Sequence, residues 1–266
     1  MRVRLDVAYD GTDFRGWARQ PGHRTVQAEL EQALATVGRL PAVTVSVAGR
    51  TDAGVHATGQ VVHADLPELP LLRALNGVLS RDVRVRALTV VPPDFDARFS
   101  ATGRAYEYRT TDAVPDPLRR HDTVAWPRAL DADLMTTAAR PLVGEHDFAA
   151  YCRRREGATT VRGLRRLETV RQGAVLTTYA EADAFCHSMV RALLGALLAV
   201  GDGRRPVGWP AAVLSRGDRD PRVTVAPAHG LTLVRVDYPE GEAALLARQR
   251  ESRRVRVAGT VVGPPT

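Results

Sequence analysis

The 266-residue chain, 44% hydrophobic and 25% charged, has the composition of a soluble globular protein with a substantial core, built as one large domain or two smaller ones. No stretch reaches the length of a membrane span and the first residues enter a strand-like pattern with no apolar signal region, so a cytoplasmic protein with no membrane role is expected. Cys152 and Cys186 cannot form a multi-bridge framework and match no zinc-ligand spacing, so both are expected as free thiols. A net charge of +7 and a pI near 10.2 point to polyanionic partners, nucleic acid first.

All 37 basic residues are arginine, isoleucine is absent and Asn76 is the sole asparagine. This skew reads as a coding bias rather than as function. Its physical consequence stands, because a guanidinium grips phosphate in a forked geometry and stacks on bases.

Residues 2–9 alternate polar and apolar, as a strand with one buried face does, and Asp10-Gly11 ends them. The 12–21 loop is aromatic and basic. Either Phe14 and Trp17 stack on bases while Arg15 and Arg19 meet phosphate, or the rings simply anchor the loop. Thr25 caps a helix whose Val26, Leu30, Leu34 and Val37 lie close to one face. Strands are expected at 44–48 and 60–64, a short helix at 71–77 stopped by Asn76-Gly77, and a strand at 83–91.

Residues 96–109 carry Arg98, Phe99 and Arg104 towards a strand containing Tyr106 and Tyr108, and a boundary is placed here. It divides an N-terminal unit of residues 1–98 from a second unit of residues 99–247. An arginine-rich tail, residues 248–266, is peripheral and either disordered or bound to a partner. Within the second unit we expect a helix over 131–142, a solvated basic run at 153–155 and paired strands at 159–170 and 175–181. A helix over 209–217 and a final strand over 230–239 follow.

Residues 184–200 read as a helix apolar around most of its circumference, hence buried. Arg191 is its one fully charged interior residue, with His187 a turn earlier on the same side. An unpaired buried guanidinium costs several kcal/mol on an order-of-magnitude basis. Arg191 therefore either reaches solvent from the helix edge or meets an anion such as Asp52.

Asp52 lies in a loop punctuated by Gly49, Gly54 and Gly59, two residues after Arg50. Local chemistry alone favours an ordinary turn aspartate. The glycines do not make a phosphate-binding loop, because Val55-His56 stands where Lys-Ser/Thr belongs. Asp52, His56 and His63 lack the rest of a metal shell, so no metal site is expected.

Taken together, Tyr9-Asp-Gly-Thr-Asp-Phe-Arg-Gly-Trp17, Ala48-Gly-Arg-Thr-Asp-Ala-Gly-Val-His56, Asp96-Ala-Arg-Phe-Ser-Ala-Thr-Gly-Arg-Ala-Tyr106, Phe185-Cys-His-Ser-Met-Val-Arg191 and Gly230-Leu-Thr-Leu-Val-Arg-Val-Asp-Tyr-Pro239 resemble the TruA family of tRNA pseudouridine synthases. The motifs occur in family order with compatible separations across roughly residues 3–239. The resemblance implies an α+β fold of two α/β subdomains resembling RNA-recognition folds. A largely antiparallel mixed sheet would carry helices on one side and enclose a central basic cleft. It further implies isomerisation of uridine to pseudouridine at positions 38–40 of the tRNA anticodon stem-loop, by a homodimer. Asp52 would be the catalytic aspartate, Tyr106 the tyrosine beside the target base and Arg191 the partner of Asp52. Arg50 would bind RNA and help extrude the base, and Arg15, Arg19, Arg98, Arg104 and His187 are expected to contact RNA. Ala18, Cys186 and Ser188 depart from the residues more usual at their positions.

The reaction moves uracil from an N1 to a C5 linkage without supplying a group or an electron, so no cofactor is expected. Asp52 would act on the sugar or base as a nucleophile, or promote a glycal route by proton abstraction. The competing expectation is a non-catalytic RNA-binding or RNA-chaperone protein using the same basic surface. A methyltransferase is disfavoured by the absence of a strand, glycine-rich loop and helix signature.

Overall fold

The computed structural model describes residues 1–153 and 159–252. Strand β1 (Arg2–Tyr9) follows the sequence alternation, burying Val3, Leu5, Val7 and Tyr9. It runs antiparallel between β3 (His56–Asp65) and β4 (Val83–Val91). The predicted strand over 44–48 shrinks to β2 (Ser46–Val47), paired with β3. Helix α1 (Val26–Gly38) starts at Thr25, whose hydroxyl accepts the Ala28 amide at 3.4 Å, and buries Val26, Leu30, Ala33 and Leu34. Helix α2 (Leu72–Val78) runs through Asn76-Gly77 instead of stopping there. The Asn76 side chain is used laterally, taking the Val85 amide at 2.9 Å and giving to the Val85 carbonyl at 2.8 Å.

The rest of the chain adds β5 (Gly103–Thr111), β6 (Val124–Ala125), β7 (Gly144–Asp147), β8 (Val161–Gln172), β9 (Val175–Ala182) and β10 (Leu231–Asp237). It also adds helices α3 (Ala132–Ala139), α4 (Met189–Gly201), α5 (Trp209–Leu214) and α6 (Glu242–Ser252). Among the described residues, ten strands form one sheet in the order β4-β1-β3-β10-β5-β9-β8-β7, with β2 on β3 and β6 on β5. The fold is thus α+β with a mixed, mostly antiparallel sheet, as expected.

The last strand to be made occupies the middle of this sheet. β10 pairs antiparallel with β5 and, through Thr232–His56 and Leu233–Ala57, parallel with β3. Gly59 permits this junction, because a Cβ there would lie 2.1 Å from the Val234 carbonyl oxygen. Since β3 begins at His56, the loop carrying Asp52 emerges where the two halves of the chain meet.

Helix α4 is buried at every residue except Arg191, which agrees with its all-round apolar sequence. It begins at Met189, however, and residues 184–188 are not helical. Ser188 ends that segment in the left-handed region at φ 62. The apolar pattern continued into residues whose side chains are required elsewhere, so periodicity extended the helix too far.

Two further expectations are corrected. Cys152 and Cys186 are not free thiols but a disulfide, with Cα atoms 5.8 Å apart. A sequence separation of 34 residues carries no sign of this proximity. It arises because the turn at 149–151 is folded against the 184–188 segment, where the Arg153 amide donates to the His187 carbonyl at 3.1 Å. The start of the supposed tail is not peripheral: residues 248–252 belong to α6. Arg248 Nε, Gln249 Nε2 and Ser252 Oγ bond the Ala101 carbonyl, the Ser100 hydroxyl and the Phe99 carbonyl at 3.0, 3.0 and 2.8 Å. Residues 253–266, and Arg154 and Arg155 of the basic run, lie outside the described residues.

Candidate active site

Asp52 sits in a tight turn closed by the bond from the Val55 amide to its own carbonyl at 3.2 Å, with Gly54 at φ 78. The local reading of a turn aspartate is therefore correct for its backbone. Its side chain does something further. Arg191 Nη1 donates to Asp52 Oδ2 at 3.0 Å, His187 Nε2 is 3.5 Å from Oδ1, and Ser188 Oγ is 3.4 Å from Oδ2. Asp52 keeps 25% of its side-chain surface and Arg191 keeps 20%. The pair is thus shielded enough to be strong yet open enough to meet a ligand.

The guanidinium of Arg191 is aimed by its other edge, since Nε donates to the Ala226 carbonyl at 2.8 Å. The Ala226 amide in turn donates to the Arg191 carbonyl at 2.9 Å. The segment leading into β10 is thereby sewn to α4. Ser188 occupies the helix N-cap position but makes no capping bond, and its hydroxyl is turned to Asp52 instead.

Tyr106, on β5, is 8% exposed and packs edge-on against Phe185 with ring centroids 5.3 Å apart. Burial pushes its phenol well above the usual range, with Tyr9 and Asp52 adding to the shift and Arg104 opposing it. The group is therefore a neutral hydroxyl at working pH. Two residues on, the Tyr108 hydroxyl is buried with no hydrogen-bond partner among the described residues. Burial raises its phenol too, and Arg191 partly offsets the rise.

The basic residues expected to touch RNA separate into two groups. Arg15, Arg50 and Arg98 are exposed, Arg98 lying over the Phe99 ring at 5.2 Å, and His187 stands at Asp52. Arg104 is buried, donating to the carbonyls of Asp183, Ala48 and Arg98 at 2.7, 2.9 and 2.9 Å. Its geometry is that of a tie between the Asp52 strand pair and the 96–100 turn. Arg19 is held by buried Glu31 at 2.6 Å. Phe14 and Trp17 are almost fully buried. The 12–21 loop is thus anchored by its rings and does not present them to bases.

Sequence reasoning overlooked Tyr9, Thr51 and Gln60 beneath the Asp52 loop, and Phe185 beside Tyr106. The alternation of β1 placed Tyr9 on the buried face, which was the available signal. Nothing local linked it to Asp52.

The site is thus a partly exposed carboxylate gripped by an arginine, with His187 and Ser188 beside it. A family described as tRNA pseudouridine synthase matches residues 7–100 and 138–239. Three proteins called tRNA pseudouridine synthase A are similar over nearly their full length. That of Frankia casuarinae is 63% identical, over 99% of this chain and 98% of its own. That of Streptomyces griseus is 56% identical, over 96% and 94%, and that of Mycobacterium leprae 50%, over 95% and 96%. The chain belongs to the tRNA pseudouridine synthase family.

Proposed function

We propose that this protein isomerises uridine to pseudouridine in tRNA, at positions 38–40 of the anticodon stem-loop, with Asp52 as the catalytic carboxylate. The observation that carries the reading is the Arg191–Asp52 pair, 3.0 Å long, in a chain of this family. The net charge of +7 favours the polyanionic substrate. The uridine leaves its stack and enters the site, with exposed Arg50, Arg15 and Arg98 drawing the phosphates and offsetting the unstacking. The bond between C1′ and N1 breaks, uracil turns, and a bond forms between C1′ and C5. The C5 proton is released and N1 gains one, so the product is an isomer.

In this reading Arg191 fixes the direction of the Asp52 carboxylate, and Tyr106 stacks on uracil with its neutral hydroxyl near C5. His187 lies at the mouth of the site, where a nucleotide phosphate or ribose hydroxyl would reach it. The enzyme works as a homodimer in the cytoplasm; among the described residues no helix is long and apolar enough to cross a membrane. The division into a first unit of residues 1–98 and a second that begins at residue 99 and runs on through α6 finds support in the short β3–β10 junction.

The test is tritium release from anticodon stem-loop RNA labelled at uridine C5, with pseudouridine mapping of the product. Asp52→Asn is expected to bind the RNA and release no tritium. Substantial release would remove Asp52 from the reaction, and binding without isomerisation by the wild type would restore the non-catalytic RNA-binding reading.

A further inference from the structure

The three residues Arg50, Thr51 and Asp52 alternate in direction. Arg50 is exposed and Asp52 half-exposed, while Thr51 between them is only 7% exposed. The two residues that carry chemistry are therefore presented by one inward anchor. The Thr51 hydroxyl lies 2.8 Å from the hydroxyl of Tyr9. Gln60, fully buried on β3, donates from Nε2 to the Tyr9 hydroxyl oxygen at 3.2 Å and to the Gly49 carbonyl at 2.8 Å.

This chain has a defined polarity. The Gly49 carbonyl only accepts, so the Gln60 atom facing it is the amide nitrogen, and both of its protons are used. The Tyr9 oxygen receives one of them and remains free to donate its own proton to Thr51. Burial pushes the Tyr9 phenol up to about 12, with the bonds from Thr51 and Gln60 working against that rise, so the proton is retained at working pH. From the opposite side, the Trp17 amide donates to the Thr51 carbonyl at 3.0 Å. The peptide that leads into Asp52 is thus held by its side chain below and its carbonyl above. The Tyr9 ring packs against Trp17, with centroids 6.0 Å apart.

We propose that Tyr9 is a positioning residue for the reaction: its hydroxyl, oriented by Gln60, fixes Thr51 and thereby sets the Asp52 carboxylate against Arg191. The inference rests on Asp52 being the catalytic carboxylate. The physical reason is scale. An isosteric loss of one hydroxyl leaves the packing intact but frees the anchor, and displacement of a reacting group by about 1 Å costs on the order of a hundredfold in rate.

Tyr9→Phe and Thr51→Val each remove one end of the bond while keeping shape, and Thr51→Ser keeps the hydroxyl. The expected result is a fall in kcat of roughly tenfold to a hundredfold in the first two, with KM and RNA binding within about twofold. Thr51→Ser is expected near wild type. The double variant Tyr9→Phe/Thr51→Val is expected to be no slower than the slower single, since both break one bond. Should Tyr9→Phe fail to fold, the contrast between Thr51→Val and Thr51→Ser carries the test alone. Wild-type kcat in Tyr9→Phe or Thr51→Val, a loss confined to KM, losses that multiply in the double variant, or a Thr51→Ser as slow as Thr51→Val would each overturn the proposal. Asp52→Asn measured in parallel separates the two readings. If it is inactive while Tyr9→Phe turns over normally, the positioning role alone is wrong. If it is active, the premise fails.

Discussion

Arg191 and Asp52 are 139 residues apart in the chain and 3.0 Å apart in space, and the guanidinium that reaches the carboxylate is braced at its Nε by the Ala226 carbonyl. Helix α4 and the entry to β10 therefore aim the arginine, and the arginine aims the aspartate. This three-way arrangement distinguishes charge from direction as the property that matters.

Arg191→Met removes both and is expected to lower kcat by about a hundredfold or more. Arg191→Lys keeps the charge but cannot hold Asp52 and Ala226 together, so an intermediate loss is expected. Single-turnover tritium release measures both. A lysine variant indistinguishable from wild type would show that the fork geometry is irrelevant.

Ser188 adopts φ 62, a left-handed conformation that costs a non-glycine residue roughly 1–2 kcal/mol. Ser188→Gly is expected to raise unfolding stability by about 0.5–1 kcal/mol. Losing the 3.4 Å contact to Asp52 should lower kcat by less than about tenfold. Ser188→Val should be less stable than wild type. Denaturant midpoints decide the first point, and a glycine variant less stable than the parent would contradict the strain argument.

Gly195 lies inside α4, where alanine ordinarily gains about 1 kcal/mol over glycine. Here the sign is expected to reverse. A Cβ at this position would stand 1.6 Å from the Thr224 carbonyl oxygen, and Thr224 belongs to the segment that braces Arg191 through Ala226. Gly195→Ala is expected to destabilise the protein by at least about 2 kcal/mol. An unchanged or raised urea midpoint would mean that α4 and residues 224–226 are not in contact.

The Cys152–Cys186 bridge closes a loop across 34 residues beside His187. Thiol titration of the unfolded, unreduced protein is expected to find no free thiol, and two after reduction. The variant Cys152→Ser/Cys186→Ser is expected to lose roughly 3–4 kcal/mol of stability, the loop-entropy value for this separation. Two titratable thiols without reductant would restore the free cysteines expected from sequence.

Much of this protein is legible in its sequence. The alternation of β1 and the apolar circumference of α4 specified buried faces, because burial of those side chains is set by their own chemistry and spacing. The order of motifs pointed to the family, and the Thr25 cap placed the start of α1. The sequence could not separate the arginines that tie the fold from those left at its surface. Arg104 and Arg98 sit six residues apart in similar surroundings, yet one is buried against three carbonyls and the other is exposed. Nor could it find the disulfide, the late start of α4 at Met189, or the chain from Gln60 through Tyr9 to Thr51. Each of these depends on contact between segments distant in the chain: the 149–153 stretch folded on residues 184–188, and β1 paired with β3. Local pattern determines which face of an element is buried. Only the long-range strand pairing decides which distant side chains converge on Asp52, because that contact is bought by no residue near it in the chain.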